Sequence, residues 1–421
     1  MLFRSMIVDI ARQESGRNES AVWSTGEKLS ASGAAFVNSF CAGALDYDSL
    51  HPLGLVHPAI CTVPAALAIG ERVKASGREV LAAIAIADDL MCRMGLAHRS
   101  NRGWYFTALY GGIAASIVGA RLLRLDAMGV ESALGLAFIA ASGTQIGIAE
   151  RSLAKRLQTA QAAASGVRAA LLAQLGYAGP SEIFDGKFGF YTMYEPGEGA
   201  TLLRDLGTRY TNSEVIFKQY PNCGCSHAVL DGVIDLMVGQ NIAPAQVQNV
   251  EVVISPYMHR LVGAPFDPAV NPDVVAQFSI QYAAAVAVLL RRFTLEELDP
   301  ALVSDARICD LAKRVTVTVD PNNDGGVAPA EVQVTLLDGA VLRKVVTHLR
   351  GLSESPLAKD DLERKFVGCL TWRGRYEARE ARSLFVRAQG VGTLSDVSAF
   401  PGSCAPRGAA SSLQHLSHST N

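Results

Sequence analysis

The sequence predicts a mainly helical protein, in which a large all-helical domain is joined by a smaller, inserted α+β domain. Hydrophobic residues make up 49% of the 421 residues, but only 7% are aromatic and 19% charged, so the apolar mass is small and aliphatic. Helical periodicity dominates both ends of the chain, whereas β-branched segments fall in between. The predicted organisation is a helical domain over 1–213, an α+β lid domain over 214–353, a return to the helical domain over 354–400, and a disordered tail over 401–421.

The first domain is predicted to be a series of helices. Pro58 stands near the start of one helix, where its missing N–H costs little. Gly176 and Gly179-Pro180 supply stop signals after the last helix. Ala- and Gly-rich faces let helix axes approach closely, which explains how the chain can be hydrophobic with few aromatic residues. The predicted helices are 27–43, 58–75, 77–94, 106–123, 130–148 and 159–175.

The α+β domain is predicted from segments in which β-branched residues alternate or cluster. Asp338-Gly339 is a strong hairpin signal between the last two of these segments. The predicted strands are 248–255, 314–319, 331–337 and 340–347, with helices at 226–239 and 274–291 among them. Two more helices, 357–371 and 376–388, are predicted after Pro356.

The mean hydropathy of +0.20 raises the question of membrane insertion. Two uncharged stretches, 106–120 and 132–149, come close to the roughly 20 residues that a spanning helix needs. Gly111 and Gly112 interrupt the first stretch and Gln145 the second, which favours helices buried in a large core. We therefore predict no contact with a membrane.

Other classes of protein are excluded by charge and by cysteine usage. A net charge of -2 argues against a nucleic-acid binder, and eight dispersed cysteines argue against a disulfide scaffold. Asp9 and Arg12 break the apolar character of the N-terminal segment, so it does not read as a signal peptide. We expect a cytoplasmic protein with reduced cysteines.

The segment from Asp46 to His57 is the most unusual concentration of chemistry-bearing side chains. Asp46, Asp48, His51 and His57 lie close together directly before an apolar helix. Histidine and aspartate are ordinary general acids and bases, and histidine titrates near neutral pH. An exposed polar loop with turn-forming Asp and Pro is an alternative interpretation. A metal site is a further alternative, although the spacing matches no zinc pattern and no third clustered ligand is evident.

Two lysines in apolar surroundings are the next candidates. Lys155-Arg156 lies between two apolar stretches, and Lys218 opens the predicted α+β domain. A partly buried ammonium needs an anionic partner, so both lysines suit the recognition of carboxylates. Surface lysines at helix ends are the alternative.

Cys223-x-Cys225 and Tyr282 are also open to two interpretations. The two cysteines with His227 could suggest a metal site, but no second pair matches them. Small buried hydrophobic residues are the commoner role of cysteine. Tyr282 begins a predicted helix, and a place in the core is the alternative to a role in binding.

Five ordered motifs together resemble the MmgE/PrpD family, which includes 2-methylcitrate dehydratase, cis-aconitate decarboxylase and iminodisuccinate epimerase. The resemblance covers about residues 27–395. The motifs are ALDYDSLHPLGLVHPAICTVPAALA, RGWYFTALYGGIAASIVGARLL, AKRLQTAQAAASGVRAALLAQLGYAGPSEIFDGKFGF, FKQYPNCGCSHAVLDG and AQFSIQYAAAVA. The resemblance implies a helical domain with an α+β lid, usually in a homodimer, and a reaction that uses neither a metal nor a cofactor.

The resemblance also implies which residues form the site, in the cleft between the two domains. Asp46 and His57 match the acidic and histidine positions of the first motif, and Lys155 matches a lysine before a helix. Lys218 and Tyr282 match a lysine and a tyrosine of the smaller domain, and Cys223 falls where some members have histidine. The expected catalytic residues are Asp46, His57, Tyr105 and Lys155, and the expected substrate-binding residues are Lys218, Cys223 and Tyr282.

The sequence departs from the family pattern at three places. The family's Asp-Asp-Thr is here Asp48-Ser49-Leu50, its Gly-Phe-His is Gly103-Trp104-Tyr105, and its Leu-His-Ala-Gly is Leu157-Gln158-Thr159-Ala160. The helix that precedes residue 27 in the family is only partly represented. These departures argue against cis-aconitate decarboxylase or methylcitrate dehydratase activity in their standard forms.

The expected function is that of a lyase or isomerase acting on a small di- or tricarboxylate, in the order dehydratase, epimerase, decarboxylase. Lys155 and Lys218 would hold substrate carboxylates and stabilise the charge that forms when an α-proton is removed. His57 or Tyr105 would act as base or acid, with Asp46 orienting the histidine or handling the leaving hydroxyl. A catalytically degenerate protein that only binds a carboxylate ligand is an alternative of another class.

Overall fold

A computed structural model of the protein describes residues 2–352 and 356–404. It confirms the predicted fold class, since helices dominate and a small mixed sheet lies in the second half of the chain. Of the predicted disordered tail, Pro401–Cys404 forms a 3-10 turn, and the remainder lies outside the described residues.

The helical part contains a short two-stranded hairpin between its first two helices. Strands β1 (Ser20–Ala21) and β2 (Lys28–Leu29) pair antiparallel. The helices are α1 (Leu2–Glu14), α2 (Ala31–Ala42), α3 (Ala59–Val73), α4 (Gly77–Ala97), α5 (Phe106–Leu122), α6 (Ala127–Phe138), α7 (Ile146–Ala149), α8 (Ala154–Gln174) and α9 (Phe190–Met193).

Helices α5 and α8 pack closely at the centre of the helical core. Almost every residue of α5 is buried, as predicted for this uncharged stretch. A Cβ added to Gly166 of α8 would lie 2.3 Å from the carbonyl oxygen of Gly112 in α5, so only glycine permits this approach. Small residues therefore allow dense packing without aromatic bulk. No helix among the described residues has the length and apolar character that crossing a membrane requires.

Two predicted helices of this part have different bounds in the structure. The helix predicted over 130–148 is wrong in its second half, because α6 ends at Phe138. Gly143 has φ +135°, which an α-helix cannot contain, and Thr144 forms a bridge with Trp104. The helix predicted over 27–43 begins only at Ala31, because Ser30 caps its N-terminus.

The α+β part contains a four-stranded sheet in the order β4-β3-β5-β6. Its strands are β3 (Val247–Ile254), β4 (Val315–Val319), β5 (Ala330–Leu336) and β6 (Val341–Val346). Strand β3 is parallel to β4 and antiparallel to β5, and β5 forms the predicted hairpin with β6. The helices of this part are α10 (His227–Gly239), α11 (Pro256–Val262), α12 (Pro272–Val275), α13 (Ile280–Leu290), α14 (Pro300–Val303) and α15 (Ala306–Ala312), and the C-terminal segment that follows contains α16 (Lys359–Thr371) and α17 (Ala378–Gln389).

Helices α10 and α13 share a second hydrophobic core with the sheet. The single helix predicted over 274–291 is split in the structure at Ser279, which has φ -134° and caps α13 by accepting a hydrogen bond from the N–H of Tyr282. A 3-10 turn, Ala276–Phe278, joins α12 to α13.

The C-terminal segment contacts both parts of the molecule. Cys369 and Trp372, at the end of α16, pack against the core of the α+β part. Val391 and Val397 return to the core of the helical part. The boundaries predicted for the two domains stay a prediction, but this course of the chain places residues from both parts around one loop, which connects α2 to α3.

Candidate active site

The loop between α2 and α3 positions the acidic candidates. Asp46 adopts the left-handed conformation with φ +49°, which Asp tolerates better than most residues. Leu50 pairs with Ile216 through two backbone hydrogen bonds of 3.0 and 2.8 Å. Because the two segments run antiparallel, Lys218 comes alongside the loop.

Asp46 lies between two lysines that are distant in sequence. Lys155 Nζ bonds Asp46 Oδ1, and Lys218 Nζ lies 3.0 Å from Asp46 Oδ2 and 2.9 Å from the Asp46 carbonyl oxygen. Asp46 is only 3% exposed and Lys218 is fully buried. Burial by itself raises the pKa of Asp46, but the charges of Lys155, Lys218 and His57 outweigh it and hold this pKa well below its usual range. Asp46 is therefore a carboxylate.

His57 is held by Asp48, and not by Asp46 as we expected. His57 Nδ1 lies 2.9 Å from Asp48 Oδ2 and 2.8 Å from the carbonyl oxygen of Ser49. Both neighbours are acceptors, so this geometry assigns the ring hydrogen to Nδ1 and leaves Nε2 free to accept a proton. Burial raises the pKa of Asp48, but the charge and hydrogen bond of His57 lower it to about 2.

Tyr105 immediately precedes α5 and is buried beside the lysine. Its backbone N–H donates to the carbonyl of Gly143 at 3.2 Å. Lys155 Nζ lies 5.7 Å from the centre of the Tyr105 ring and 5.0 Å from that of Phe278. Burial, and then the charges of Asp48 and Asp46, raise the pKa of Tyr105 well above its ordinary value, so its hydroxyl is a hydrogen-bond donor.

Lys155 is a cation in this site. Burial lowers its pKa, but the charges of Asp46 and Asp48 outweigh this effect, so the pKa is raised. Its side chain is 12% exposed, which is enough to meet a ligand. A permanently charged ammonium suits binding of a carboxylate better than proton abstraction.

Cys223 is fixed by contacts between the two parts of the molecule. Its N–H donates to the carbonyl of Gln277 at 2.9 Å, and Arg156 of α8 donates to Gln277 Oε1 at 2.5 Å. A hydrogen bond from Cys225 lowers the pKa of Cys223 despite burial, while the pKa of Cys225 is raised well above its ordinary value.

Some of these groups border a small cavity of about 50 Å³, whereas Asp46 and Asp48 are not part of its lining. Four of the predicted site residues line it: His57, Tyr105, Lys155 and Cys223. Sequence reasoning missed other residues of the lining, which include Asn101, Gln145, Tyr257 and Leu261. No sequence signal marked them, because they come from loops and from α11, far from one another along the chain. Asp48 belonged to the acidic segment singled out in the sequence, but it was not assigned a role.

Two predicted substrate-binding residues do not line this cavity. Lys218 supports Asp46 from behind and has no exposed surface. Tyr282 is fully buried in the core of the α+β part, where its ring centre lies 5.1 Å from that of Phe266 and its hydroxyl donates to the carbonyl of Glu297. The structure therefore gives Tyr282 a packing position and does not bring it to the cavity.

The other histidine of this loop stabilises the conformation of the loop. His51 is fully buried, and its Nδ1 accepts a hydrogen bond of 2.8 Å from the N–H of Gly54, which closes a tight turn. In the part of the chain that the structure describes, no three His, Cys, Asp or Glu side chains are grouped so that they could hold a metal ion.

Comparison with known proteins agrees with this architecture. Sequence models of the MmgE/PrpD N-terminal domain and of the MmgE/PrpD C-terminal domain match residues 3–203 and 220–389. The chain belongs to the MmgE/PrpD family. This confirms the resemblance found in the sequence motifs, and the two matches together cover most of the chain.

Characterised MmgE/PrpD relatives include several cis-aconitate decarboxylases. The cis-aconitate decarboxylase-like protein oryM of Aspergillus oryzae is 26% identical over 360 residues, which are 79% of this chain and 74% of the relative. Cis-aconitate decarboxylase of Aspergillus terreus is 26% identical over 409 residues, 89% of this chain and 81% of the relative. The Homo sapiens enzyme is 25% identical over 366 residues, 82% and 74% of the two chains.

Proposed function

We propose that this MmgE/PrpD protein is a lyase that removes a proton α to a carboxylate of a small di- or tricarboxylate, with dehydration as the first expectation. The observation that carries the proposal is the meeting of two charge groups at one cavity. One is the Asp46–Lys155–Lys218 cluster, and the other is the His57–Asp48 pair. One group supplies positive charge, and the other supplies a base.

His57 is the proposed base. Asp48 and the Ser49 carbonyl hold its Nδ1, so Nε2 can take the α-proton. The electrons of the C–H bond then pass into the neighbouring carboxylate, which gains a second negative charge. Asp48 orients the imidazole ring of His57, as a carboxylate does in other catalytic acid–base pairs.

Lys155 is the proposed group that stabilises this charge. A substrate carboxylate would share the ammonium with Asp46, and the fixed cation would lie beside the charge as it develops. Lys218 acts indirectly, because it is buried and holds Asp46 in place. Substitution of Lys218 is thus expected to displace Asp46, and to affect substrate binding only through that displacement.

Dehydration needs one further step. The C–O bond to the β-hydroxyl breaks as the carbon–carbon double bond forms, and the departing oxygen takes a proton from the His57 imidazolium to leave as water. His57 is thereby restored to its starting state. Tyr105 keeps its proton and can donate a hydrogen bond to the leaving oxygen.

Epimerisation and decarboxylation are alternatives within the same site. A proton returned to the opposite face of the intermediate gives an epimer, and loss of carbon dioxide followed by protonation gives a decarboxylated acid. The names of the relatives favour decarboxylation. The replacement of family histidines by Tyr105 and Cys223 favours a reaction other than decarboxylation. Neither a metal nor a cofactor is part of the proposal, and a homodimer and a cytoplasmic location stay predictions.

A catalytically degenerate carboxylate-binding protein is the second candidate. The same substitutions at Tyr105 and Cys223 motivate it, because they remove two side chains that could transfer protons near neutral pH. Thermal stabilisation by an acid without any product would support this candidate. Turnover of any acid would exclude it.

The proposal is tested by incubating the protein with methylcitrate, citrate, aconitate, tartrate and iminodisuccinate and following products by NMR. Turnover of at least one acid is expected from the wild type, with a loss of about 100-fold or more in Lys155→Ala. Lys187→Ala, at an exposed lysine that does not line the cavity, is the matched control and should keep full activity. Equal turnover by the wild type and Lys155→Ala would contradict the proposed role of Lys155.

A further inference from the structure

The ionised groups around the cavity nearly cancel in charge. Lys155 and Lys218 are balanced by Asp46 and Asp48, and a protonated His57 would add a single positive charge. A ligand with three carboxylates would leave the site with a net charge of two negative units or more in a largely buried environment. Uncompensated buried charge is among the costliest arrangements in a protein.

One more cation lies beside two residues of the cavity lining. The guanidinium carbon of Arg260 is 5.2 Å from the centre of the Tyr257 ring, and its Nη1 lies 3.4 Å from the Asn101 carbonyl oxygen. Tyr257 and Asn101 both line the cavity, but Arg260 itself does not. Among the described residues that line the cavity, Lys155 is the one Lys or Arg, so Lys155 and the adjoining Arg260 match a ligand with two carboxylates better than one with three.

The remaining polar groups of the lining are neutral. Gln145 is 8% exposed, and within the described part of the chain its Oε1 has no hydrogen-bond partner. Its Nε2 lies 3.4 Å from Asn101 Oδ1. A buried amide oxygen without a partner is costly unless a ligand or water satisfies it. A substrate hydroxyl can donate to this oxygen, whereas an ionised carboxylate cannot.

The rest of the wall is largely apolar. Five aliphatic side chains line the cavity: Leu50, Leu55, Ile148, Leu261 and Val327. Leu50, Ile148 and Val327 are buried, so a charged group placed against them would lose its hydration without gaining a partner. A methyl or ethyl group in the same place would instead gain contact and leave water.

We propose that the substrate is an alkyl-substituted hydroxy acid with no more than two carboxylates. One carboxylate lies on Lys155, the hydroxyl meets Gln145, and the alkyl group packs on the aliphatic wall. This inference rests on the proposed lyase function and narrows its substrate class. The proposed substrate class differs from the tricarboxylate cis-aconitate, which the names of the relatives specify.

Citramalate and citrate are a matched pair for the test, because citrate is citramalate with its methyl group replaced by a carboxymethyl group. We expect kcat/KM to be at least about tenfold higher for citramalate, and calorimetry to show tighter binding of citramalate. Equal or faster turnover of citrate or cis-aconitate would overturn the inference while supporting the proposed function.

Variants at Leu261 test whether the aliphatic wall causes the preference for citramalate over citrate. This residue is half-buried on α11, so longer side chains can be accommodated. Leu261→Arg adds a cation to the lining and should shift the kcat/KM ratio toward citrate by about tenfold, whereas Leu261→Met should keep the wild-type ratio. An unchanged ratio of the two kcat/KM values in Leu261→Arg would contradict the proposed role of the aliphatic wall.

The two proposals can fail separately. If no acid is turned over and no α-proton exchanges with solvent, the lyase function fails. The inference on charge is then decided by calorimetry alone, where tighter binding of citrate than of citramalate, or binding of neither, would overturn it.

Discussion

Asp46 and Asp48 are two residues apart, yet their carboxylates have different partners. Asp46 is enclosed by two ammonium groups, whereas Asp48 faces a single imidazole. Local environment, and not residue type, therefore determines that the first maintains the charge cluster and the second orients the base.

Asp48→Asn should impair catalysis while leaving the fold intact. The asparagine amide can donate to His57 Nδ1, which favours the tautomer with hydrogen on Nε2, where the proposed base must be free. We expect kcat to fall by at least about 100-fold with little change in melting temperature. Asp310→Asn, whose side chain is 72% exposed, is the control. A kcat close to that of the wild type would contradict the role of Asp48.

A partly buried carboxyl outside the site predicts a pH dependence of stability. Burial raises the pKa of Asp88 in α4 to about 7, and its Oδ1 lies 2.6 Å from Thr62 Oγ1. The folded protein thus keeps a proton that the unfolded chain releases above about pH 4. By linkage, the stability contributed by this protonated group is full below pH 4 and is lost as pH rises toward 7.

Asp88→Asn should remove this dependence. At pH 7.5 the variant should be more stable than the wild type by about 2 kcal/mol, and at pH 4.5 the two should be nearly equal. Thermal unfolding followed across this pH range measures the difference. A variant less stable than the wild type at pH 7.5 would show that the ionised carboxylate stabilises the fold.

Much of the site could be predicted at the level of single residues. Asp46, His57 and Lys155 stand out because few charges adjoin apolar helices in this sequence. The partner of His57 could not be assigned, since the choice between Asp46 and Asp48 depends on the left-handed turn at Asp46. Tyr257 was missed because only the tertiary fold brings α11 to the cavity.

At the scale of elements, the contact between α5 and α8 depends on the absence of side chains. A Cβ at Gly166 would lie 2.3 Å from Gly112 O and 2.6 Å from Ala115 Cβ. Helix propensity alone would favour alanine at this position. The glycine is therefore maintained by packing and not by local conformation.

Gly166→Ala should lower the free energy of unfolding by about 1–3 kcal/mol, because the two helices must move apart. Gly368→Ala in α16 is the matched control, since nothing lies within 4 Å of its added Cβ. The control should be neutral or stabilise by up to about 1 kcal/mol. Urea denaturation compares the two variants, and equal effects would refute the close-packed interface.

Helix ends were harder to predict than helix existence. Periodicity identified α3, α4 and α5, but it continues across Gly143 and Ser279, where the backbone leaves the helix. At Ser279 apolar character persists because the flanking residues are buried in the core, whereas the segment around Gly143 is apolar in sequence but largely exposed. Tertiary contacts, such as the Trp104–Thr144 bridge, decide where such helices stop.

At the scale of the whole molecule, the Asp46–Lys218 contact joins the two parts. Lys218 is fully buried and gives both of its hydrogen bonds to Asp46. Its backbone carbonyl in turn accepts a bond of 2.8 Å from Lys365 of α16. The charge cluster is therefore a structural link as well as a chemical one.

Lys218→Met should destabilise the protein by about 3–5 kcal/mol, because it removes one partner of a buried carboxylate. The double variant Asp46→Asn/Lys218→Met should recover part of this loss, since the buried negative charge is removed as well. Urea denaturation of both variants gives the comparison. A double variant less stable than Lys218→Met would show that Asp46 stabilises the fold without Lys218.

The central claim is that this cavity removes an α-proton, and solvent exchange tests it most directly. The protein is incubated with citramalate in D₂O, and NMR follows the loss of α-proton signal from the remaining acid and the product. We predict exchange or elimination with the wild type and with His348→Gln, an exposed control, and at least about a 100-fold loss in His57→Gln. Exchange that proceeds equally fast in His57→Gln would contradict the account.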